Sequence, residues 1–353
     1  MRCPSSPFEI SLAGPGDSLG IATVFDDVTF EGKIAVHFSR GPDPYRSFQK
    51  DGERVVAPIA KETQTGKIIG IGACLNRTEY LNGSPGATGY LTGMKLLQSH
   101  RGRAPFIRAA YDLICEQNRQ ANPLYYTTIL KNNVQAIKLL EKRRKGMPDY
   151  RYIGGYTVYC MGAGWMAARG DGGYIFEKGN PAGLADYYSK HLPKYNLAPQ
   201  NERLYGLSQS DFYTLRNRDS HILAACAIWN QQDYKQYIAK KYQGLYRALP
   251  LLPYKLLGYP SLPKVDVVAN CASIALLVVR NENPEVARRF LRLVLSNERR
   301  YDFLMLGLFE NHPLRPVLEK MRHIRCESRV YTVDFGGSPT LDDRAVMLEV
   351  GHL

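Results

Sequence analysis

Residues 89–120, GYLTGMKLLQSHRGRAPFIRAAYDLICEQNRQ, decide how the rest of the chain is interpreted. The first part, up to Leu97, is a mostly apolar run of strand length. A short basic turn follows at residues 100–103. Pro105 then stands where a helix begins, because the first turn of a helix does not use the N–H that proline lacks. Apolar residues at helical spacing continue from Phe106, so the stretch predicts a strand, a tight turn and an amphipathic helix.

The basic turn predicts a phosphate-binding corner. The first amides of a helix have no partners inside the helix, and the helix dipole adds partial positive charge at that end. Gly102 lets the main chain approach an anion closely, and Arg101 and Arg103 add two full charges. The alternative is a plain strand–helix connection whose arginines are only solvated.

Length and composition indicate a folded protein of two domains. The chain has 353 residues, of which 44% are hydrophobic, and it contains 24 Tyr. It has no apolar run of the roughly 18 residues that span a bilayer. The first ten residues contain no hydrophobic signal region, so the expectation is a cytoplasmic protein without a membrane partner.

Charge and cysteine content narrow the choice of ligand. The net charge of +13 is divided almost evenly between the first 165 residues and the remainder. It suits an anionic ligand but does not select nucleic acid over a phosphorylated cofactor. Nucleic acid ranks last because no basic stripe interleaved with aromatic residues is present. The seven cysteines are scattered, without a C-x-x-C pair or an H-E-x-x-H motif, so neither a metal site nor a disulfide framework is predicted.

The order of elements indicates a duplication. Strand, helix, strand, helix and strand follow one another over residues 87–161 and again over 267–335. The predicted fold class is α/β (α+β), with domains at residues 1–163 and 174–353 and a glycine-rich linker at 164–173. The linker contains a match to the dinucleotide fingerprint, but its further glycines leave no helix to receive a pyrophosphate. Residues 40–52, rich in Pro, Gly and Asp, are predicted to be a loop, and the apolar segment 345–350 is expected to pair with the last strand.

Two short patterns make the chain resemble the GNAT-type acyl-CoA N-acyltransferase superfamily. One is Arg101-Gly102-Arg103-Ala104, which opens a helix after the strand at 91–97. The other is Asn133-x-x-Ala136-x-x-Leu139-Leu140-Glu141-Lys142 followed by Gly146, after the strand at 124–130. The resemblance covers residues 55–161, and the second half repeats the layout, so it implies two tandem copies of which the second is degenerate.

The resemblance implies a fold, a cofactor and a binding site. The fold is a mixed, mostly antiparallel sheet flanked by helices. The cofactor is acetyl-CoA or another acyl-CoA, with no metal. Its pantetheine arm would lie between two splayed strands and pair with the main chain of Met94, Lys95, Leu96 and Leu97. Asn133 would lie near the pantetheine, and the pyrophosphate would meet the amides of Arg101, Gly102, Arg103, Ala104 and Pro105.

The sequence departs from the family pattern at several places. Ala104 and Phe106 stand at the last two positions of the family's Arg-Gly-x-Gly-x-Gly/Ala turn. Leu140 stands where a tyrosine commonly protonates the leaving thiolate. The second half has Arg280-Asn281-Glu282-Asn283-Pro284-Glu285 at its corner, with two carboxylates where a pyrophosphate would bind. Like charge disfavours such binding, so we expect only the first half to bind acyl-CoA.

Acetyl transfer to an amine needs a neutral amine, a polarised thioester carbonyl and a proton for the leaving thiolate. The candidate catalytic residue is Tyr90, with Glu79 as a second candidate; packing roles are the alternative for both. The predicted function is an N-acetyltransferase acting on a small-molecule or peptide amine. The alternative is a catalytically weak or inactive module that binds CoA or another anionic ligand. The acceptor and the oligomeric state do not follow from the sequence.

Overall fold

The computed structural model describes residues 8–27, 32–100, 104–142, 144–164, 173–179, 182–201, 204–247 and 258–353. Within these ranges the chain forms a mixed sheet of 13 strands, a separate two-stranded ribbon and seven α-helices. The predicted fold class, a mostly antiparallel sheet flanked by helices, is confirmed.

The first half contains eight strands and four helices among its described residues. The strands are β1 (Phe8–Leu12), β2 (Ile34–Ser39), β3 (Arg54–Val56), β4 (Pro58–Glu62), β5 (Ile68–Leu81), β6 (Ser84–Leu96), β7 (Leu124–Leu130) and β8 (Asp149–Gly162). The helices are α1 (Ser18–Asp26), α2 (Pro44–Asp51), α3 (Ala104–Asn118) and α4 (Val134–Leu140). The strand and the helix predicted within residues 89–120 are therefore both present, as β6 and α3.

The second half contains seven strands and three helices in the part of it that the structure describes. The strands are β9 (Ile175–Lys178), β10 (Phe212–Arg216), β11 (Ile222–Trp229), β12 (Gln236–Tyr242), β13 (Cys271–Val279), β14 (Phe303–Phe309) and β15 (Ile324–Asp334). The helices are α5 (Leu184–His191), α6 (Pro284–Asn297) and α7 (Arg315–Glu319). This is the second strand–helix–strand–helix–strand series that the sequence predicts.

The two halves share one sheet by exchanging strands. The order is β1-β4-β5-β6-β7-β15-β8-β14-β13-β11-β10-β9, with β3 beside β5. β15 of the second half lies between β7 and β8 of the first half. β8 of the first half in turn pairs with β14 of the second. β15 therefore extends the sheet of the first half, and β8 extends the sheet of the second half. The boundaries 1–163, 164–173 and 174–353 remain a prediction.

Helices cover opposite faces of the first-half sheet. On β5, Leu75 packs in a cluster with Phe25 of α1 and Phe48 of α2. Its neighbour Cys74 packs with Tyr111 and Ile114 of α3, and Asn118 of the same helix donates to its Sγ at 3.6 Å. Because successive strand residues point to opposite faces, α1 and α2 lie on one side of the sheet and α3 lies on the other.

Two local predictions were wrong. Within residues 40–52, predicted to be a loop, the chain forms α2 over Pro44–Asp51. The Asp43 side chain accepts from Arg46 N at 3.1 Å, and Pro44 begins the helix, so the Asp-Pro pair is a helix start rather than a turn. Within residues 345–350, Val346 forms a bridge with Asn196 instead of pairing with β15.

Candidate functional site

The parallel strands β6 and β7 separate after a short paired region. They pair at only three positions, Thr88 with Leu124, Gly89 with Tyr125 and Tyr90 with Tyr126. Among the described residues, no further ladder pair joins the two strands, although β6 continues to Leu96 and β7 to Leu130. The separation therefore lies toward the C-terminal end of β6, the end from which the chain continues to α3.

A bulge in β6 begins at this separation. Thr92 pairs with Ala73 and Lys95 with Ile71, so two residues of β6, Gly93 and Met94, oppose one residue of β5. Gly93 has a φ of 64°, which side chains other than glycine rarely adopt. Bulges of this kind bend a strand and increase its local twist. The bulge therefore gives a physical reason for β6 to turn away from β7.

Tyr90 lies at the vertex between the separating strands. Its hydroxyl is 2.7 Å from Thr128 Oγ1 on β7, and Thr92 also hydrogen-bonds to it. Its ring packs on Tyr126 with centroids 5.2 Å apart. Burial raises the pKa of Tyr90 above its usual value, against the opposing effect of these hydrogen bonds. The hydroxyl therefore stays protonated at neutral pH, where it can donate a hydrogen bond or a proton but cannot act as a base.

The four residues predicted to pair with the pantetheine arm, 94–97, lie in the last part of β6 and just after it, beyond the pairing with β7. Met94 is 38% exposed and packs over Gly72. Lys95 is buried on the face covered by α1. Leu96 pairs with Gly70 on β5. Leu97 donates its N–H to Ile69 O at 2.9 Å, which continues the pairing with β5 past the end of β6.

The basic corner itself, Arg101, Gly102 and Arg103, lies outside the described residues. The helix that follows the corner begins at Ala104, with Pro105 in its first turn. Phe106, one of the departures from the family pattern, is buried, and its ring packs toward Gly70 and Leu96 of the sheet. Its side chain therefore fills the core rather than the space in front of the helix.

Asn133 and Leu140 mark the two ends of α4. Asn133 is the N-cap of this helix and accepts a hydrogen bond from Ala136 N at 3.2 Å. Leu140 packs against the small apolar cluster of Ile129, Ile137 and Tyr331. The position at which the family commonly has a tyrosine thus serves packing here.

Glu79, the second catalytic candidate, lies on β5 at the level of Gly86, on the far side of Tyr90 from the strand separation. Its carboxylate accepts from Thr88 Oγ1 at 2.8 Å and from Tyr126 Oη at 3.3 Å. Burial raises the pKa of Glu79, against the opposing charge of Arg77. These contacts tie the carboxyl into the core beside the vertex rather than into the space between the strands.

A buried charge cluster that the sequence did not reveal joins the second half to this region. Asp51 on α2 accepts from Arg40 at 2.7 Å and from Lys235 at 2.8 Å. Burial would raise the pKa of Asp51, but Lys235 and Arg40 together lower it below its usual value. Burial also lowers the pKa of Lys235 to about 7, despite the attraction of Asp51. No local signal could reveal this cluster, because its members are brought together only by the fold.

The corresponding separation in the second half is filled. β13 and β14 pair at three positions, from Cys271–Phe303 to Ser273–Met305. Beyond them the chain segment 346–349 lies against both strands and leaves a cavity of about 20 Å³, which is room for one water. Leu276, whose φ is 54°, donates its N–H to Glu349 Oε1 at 2.9 Å. A main-chain donor of this strand is thus used by the chain itself.

The second-half corner is also satisfied internally. Asn283 caps α6 and accepts from the N–H groups of Glu285 at 2.9 Å and Val286 at 3.2 Å. Glu282, one of the two carboxylates at the corner, accepts from Tyr195 Oη at 2.9 Å. The first amides of α6 therefore point to a side chain of the same chain.

The described part of the chain contains neither a candidate membrane span nor a candidate metal cluster. None of its helices combines the length and the apolar character that crossing a bilayer requires. No group of three or more His, Cys, Asp or Glu is arranged to hold a metal ion there.

Comparison with known proteins gives similarity at the level of structure. No family model and no curated protein matches the sequence. A GCN5-related N-acetyltransferase from Sphaerobacter thermophilus superimposes with a TM-score of 0.59 and 13% identity, covering 98% of this chain and 100% of that one. The glucosamine N-acetyltransferase region of a fungal multi-domain GH3 β-N-acetylglucosaminidase gives a TM-score of 0.61 and 12% identity, covering 94% of this chain and 38% of that one.

A third structure that superimposes on the chain contains an acyl-CoA. Saccharomyces cerevisiae N-myristoyltransferase with bound myristoyl-CoA gives a TM-score of 0.56 and 9% identity, covering 99% of this chain and 90% of that one. The class is therefore defined by its fold: the chain has the GNAT fold of the GCN5-related N-acetyltransferases. The resemblance predicted from the sequence is confirmed at that level, and the match extends over nearly the whole chain.

Proposed function

We propose that this protein is an acyl-CoA-dependent N-acyltransferase that moves an acetyl group from acetyl-CoA to the amine of a small molecule or peptide. The separation of β6 from β7 carries the proposal, because in the described residues the ladder between the two strands ends at Tyr90, and at Leu91 the carbonyl oxygen accepts from the Thr127 hydroxyl of β7. Solved structures with the same fold are named acetyltransferases and myristoyltransferases, and one of them contains myristoyl-CoA. This similarity supports an acyl-CoA as the donor.

In the proposed reaction the pantetheine arm enters between the strands and pairs with the main chain of residues 94–97. The corner formed by Arg101, Gly102 and Arg103, with the first amides of α3, receives the pyrophosphate. A neutral acceptor amine attacks the thioester carbonyl, whose developing charge is stabilised by a main-chain N–H of β6. Tyr90 donates to the leaving thiolate, since its hydroxyl lies at the vertex and stays protonated.

In this proposal the second half does not bind a second acyl-CoA, and it forms one side of the space in which the acceptor amine binds. β12 pairs with β2 as a ribbon, Ser47 donates to Tyr234 O at 2.6 Å, and Lys235 pairs with Asp51. These contacts fix the segment around α2 in place over the face that carries Tyr90. The filled strand separation and capped corner of the second half support binding of a single acyl-CoA.

The second candidate is a module that binds acyl-CoA without turning it over. Leu140 favours it, because its side chain packs with an apolar cluster and has no proton to give. The two functions differ in one observable: both bind acetyl-CoA, but only the enzyme releases free CoA thiol when amines are added.

A thermal shift titration with acetyl-CoA tests the proposal. At 100 times its dissociation constant a specific ligand adds about 2.7 kcal/mol of stability. Replacing Arg101 and Arg103 with Ala should abolish the shift. Arg280→Ala, at the corner of the second half, is the matched control and should leave it unchanged. Absence of a shift at millimolar acetyl-CoA would refute both the enzyme and the binding module.

A further inference from the structure

Two threonines of β7, Thr127 and Thr128, join this strand to β6 where the ladder between the two strands ends. The Thr127 hydroxyl donates to Leu91 O at 2.7 Å, and Oγ1 of Thr128 lies 2.7 Å from the Tyr90 hydroxyl. Neighbouring strand residues point to opposite faces of a sheet, so only Thr128 lies on the same face as the Tyr90 side chain. Thr128 therefore brings a hydroxyl to the proposed proton donor.

The Tyr90 oxygen has another hydroxyl neighbour in Thr92, two residues farther along β6. Tyr90 is 3% exposed, whereas Thr92 and Thr128 are half-buried. A phenol has one proton to give, while a threonine hydroxyl can rotate to donate or to accept. When Tyr90 has lost its proton, both threonine hydroxyls can therefore donate to the remaining oxygen.

The charged and titratable groups around Tyr90 come from three other strands and from the segment after β2. The Arg77 guanidinium of β5 lies 5.7 Å from the centroid of the Tyr90 ring. Burial raises the pKa of Tyr90, and the two threonine hydroxyls, Arg77 and Arg40 oppose this rise. Burial raises the pKa of Tyr126 on β7 and of Tyr156 on β8 well above the usual value, so both are uncharged at neutral pH. Of the groups that favour the phenolate, the threonine hydroxyls are the ones bonded to its oxygen.

The contact also has a purely structural interpretation. The hydrogen bond between Tyr90 and Thr128 joins β6 to β7 just past their last ladder pair, and it would stabilise the fold whether or not Tyr90 takes part in a reaction. This role predicts that loss of the Thr128 hydroxyl lowers the free energy of unfolding and leaves turnover unchanged. The two roles therefore differ in kcat.

We propose that Thr128 and Thr92 are positioning residues, which donate hydrogen bonds to the oxygen of Tyr90 as it gives up its proton; this inference rests on the proposed function. As the C–S bond of the thioester breaks, the sulfur keeps the bonding electron pair and takes the proton of Tyr90. The proton that the acceptor nitrogen loses on forming the amide bond then returns to Tyr90. Both threonines keep their own protons throughout, and no other reactant is required.

The test is the steady-state kinetics of CoA thiol release from acetyl-CoA, with an amine that the wild type accepts. Thr128→Val should lower kcat about 10-fold or more, because a hydrogen bond to a charged oxygen is lost. The KM for acetyl-CoA should change by less than about twofold, because the bond is made only as the thiolate leaves. Thr92→Val should lower kcat in the same way, whereas Thr128→Ser keeps the hydroxyl and should keep kcat.

Thr88→Val is the matched control. Thr88 is also a threonine of β6, and its buried hydroxyl donates to Glu79 at 2.8 Å, on the side of Tyr90 away from the strand separation. This variant should lose stability in urea unfolding and keep kcat. A Tyr90→Phe background completes the test, because Thr128→Val should have no further effect on kcat once the Tyr90 hydroxyl is gone.

The possible outcomes separate this inference from the proposed function. A wild type that releases CoA, with Thr128→Val and Thr92→Val that keep its kcat, overturns the inference and leaves the proposed function standing. The inference also fails if Thr128→Ser is as slow as Thr128→Val, or if Thr128→Val lowers kcat equally in the Tyr90→Phe background. A wild type that binds acetyl-CoA and releases no CoA overturns both the inference and the proposed enzyme.

Thr92→Val decides the same question if Thr128→Val does not fold. Thr92 pairs with Ala73 of β5, so its replacement leaves the junction between β6 and β7 in place. A normal kcat in a folded Thr92→Val protein would then overturn the inference.

Discussion

Replacing Tyr90 with phenylalanine tests the proposed proton donor. The change removes one hydroxyl, which lies 2.7 Å from Thr128 Oγ1, and keeps the ring that packs on Tyr126. Loss of this hydrogen bond should lower the free energy of unfolding by about 1 kcal/mol. Loss of a general acid should lower kcat by about 100-fold or more, which corresponds to about 2.7 kcal/mol in the activation free energy.

The assay is release of CoA thiol from acetyl-CoA with an amine that the wild type accepts, together with urea unfolding of each variant. Tyr111→Phe is the matched control, because Tyr111 is also a buried tyrosine whose hydroxyl bonds to another side chain, Tyr150, but it lies on the opposite face of the sheet. It should lose similar stability and keep its kcat. A Tyr90→Phe enzyme with wild-type kcat would refute the role of Tyr90 as the acid and leave it a packing residue.

Two further predictions concern stability. Gly307→Ala should lower the free energy of unfolding by about 1–3 kcal/mol, because a Cβ at this position would overlap the Tyr156 hydroxyl, which donates to Leu348 O. The measurement is urea unfolding, and Gly16→Ala, at a position with open space, is the control. Equal stabilities of the two variants would contradict the packing of Tyr156 against Gly307. Between pH 7 and 9 the wild type should gain stability relative to Lys235→Met by up to about 1.4 kcal/mol per pH unit. Folded Lys235, with a pKa of about 7, has lost its proton there while the unfolded chain keeps it, so stability rises with pH. A constant difference across this window would show instead that the ion pair with Asp51 keeps the buried Lys235 charged.

The local elements of the fold follow from the sequence because their signals lie within a few residues. Pro105 and the apolar spacing after it predict α3, and the β-branched and aromatic run at 124–130 predicts β7. The prediction of a loop at 44–51, where α2 forms, failed for an equally local reason, because an Asp-Pro pair can begin a helix as well as a turn. Two residues, Asp43 and Pro44, decide between these outcomes, and Asp43 does so by capping α2.

The arrangement of the elements does not follow from the sequence. The exchange of β8 and β15 depends on pairing between residues far apart, such as Ser328 with Leu130, and nothing in either strand marks its partner. The cluster of Arg40, Asp51 and Lys235 is equally non-local. Tyr90 was identified by its place at the start of a strand, but its hydrogen bond to Thr128 required the register of β6 against β7.

The sequence likewise did not predict that the separation between β13 and β14 is filled. The corner residues suggested that an anion would be disfavoured there, and Glu282 and Asn283 are indeed used by Tyr195 and α6. The stronger obstacle is the segment 346–349, which was expected to pair with the last strand and instead lies against β13 and β14. A tertiary contact, rather than a local pattern, distinguishes the two halves.

Isothermal titration of the full chain with acetyl-CoA tests the central claim most directly, because it counts sites. We expect one site per chain, lost when Arg101 and Arg103 are replaced with Ala and retained in Arg280→Ala. Two sites per chain, no binding, or a single site indifferent to Arg101 and Arg103 would contradict it.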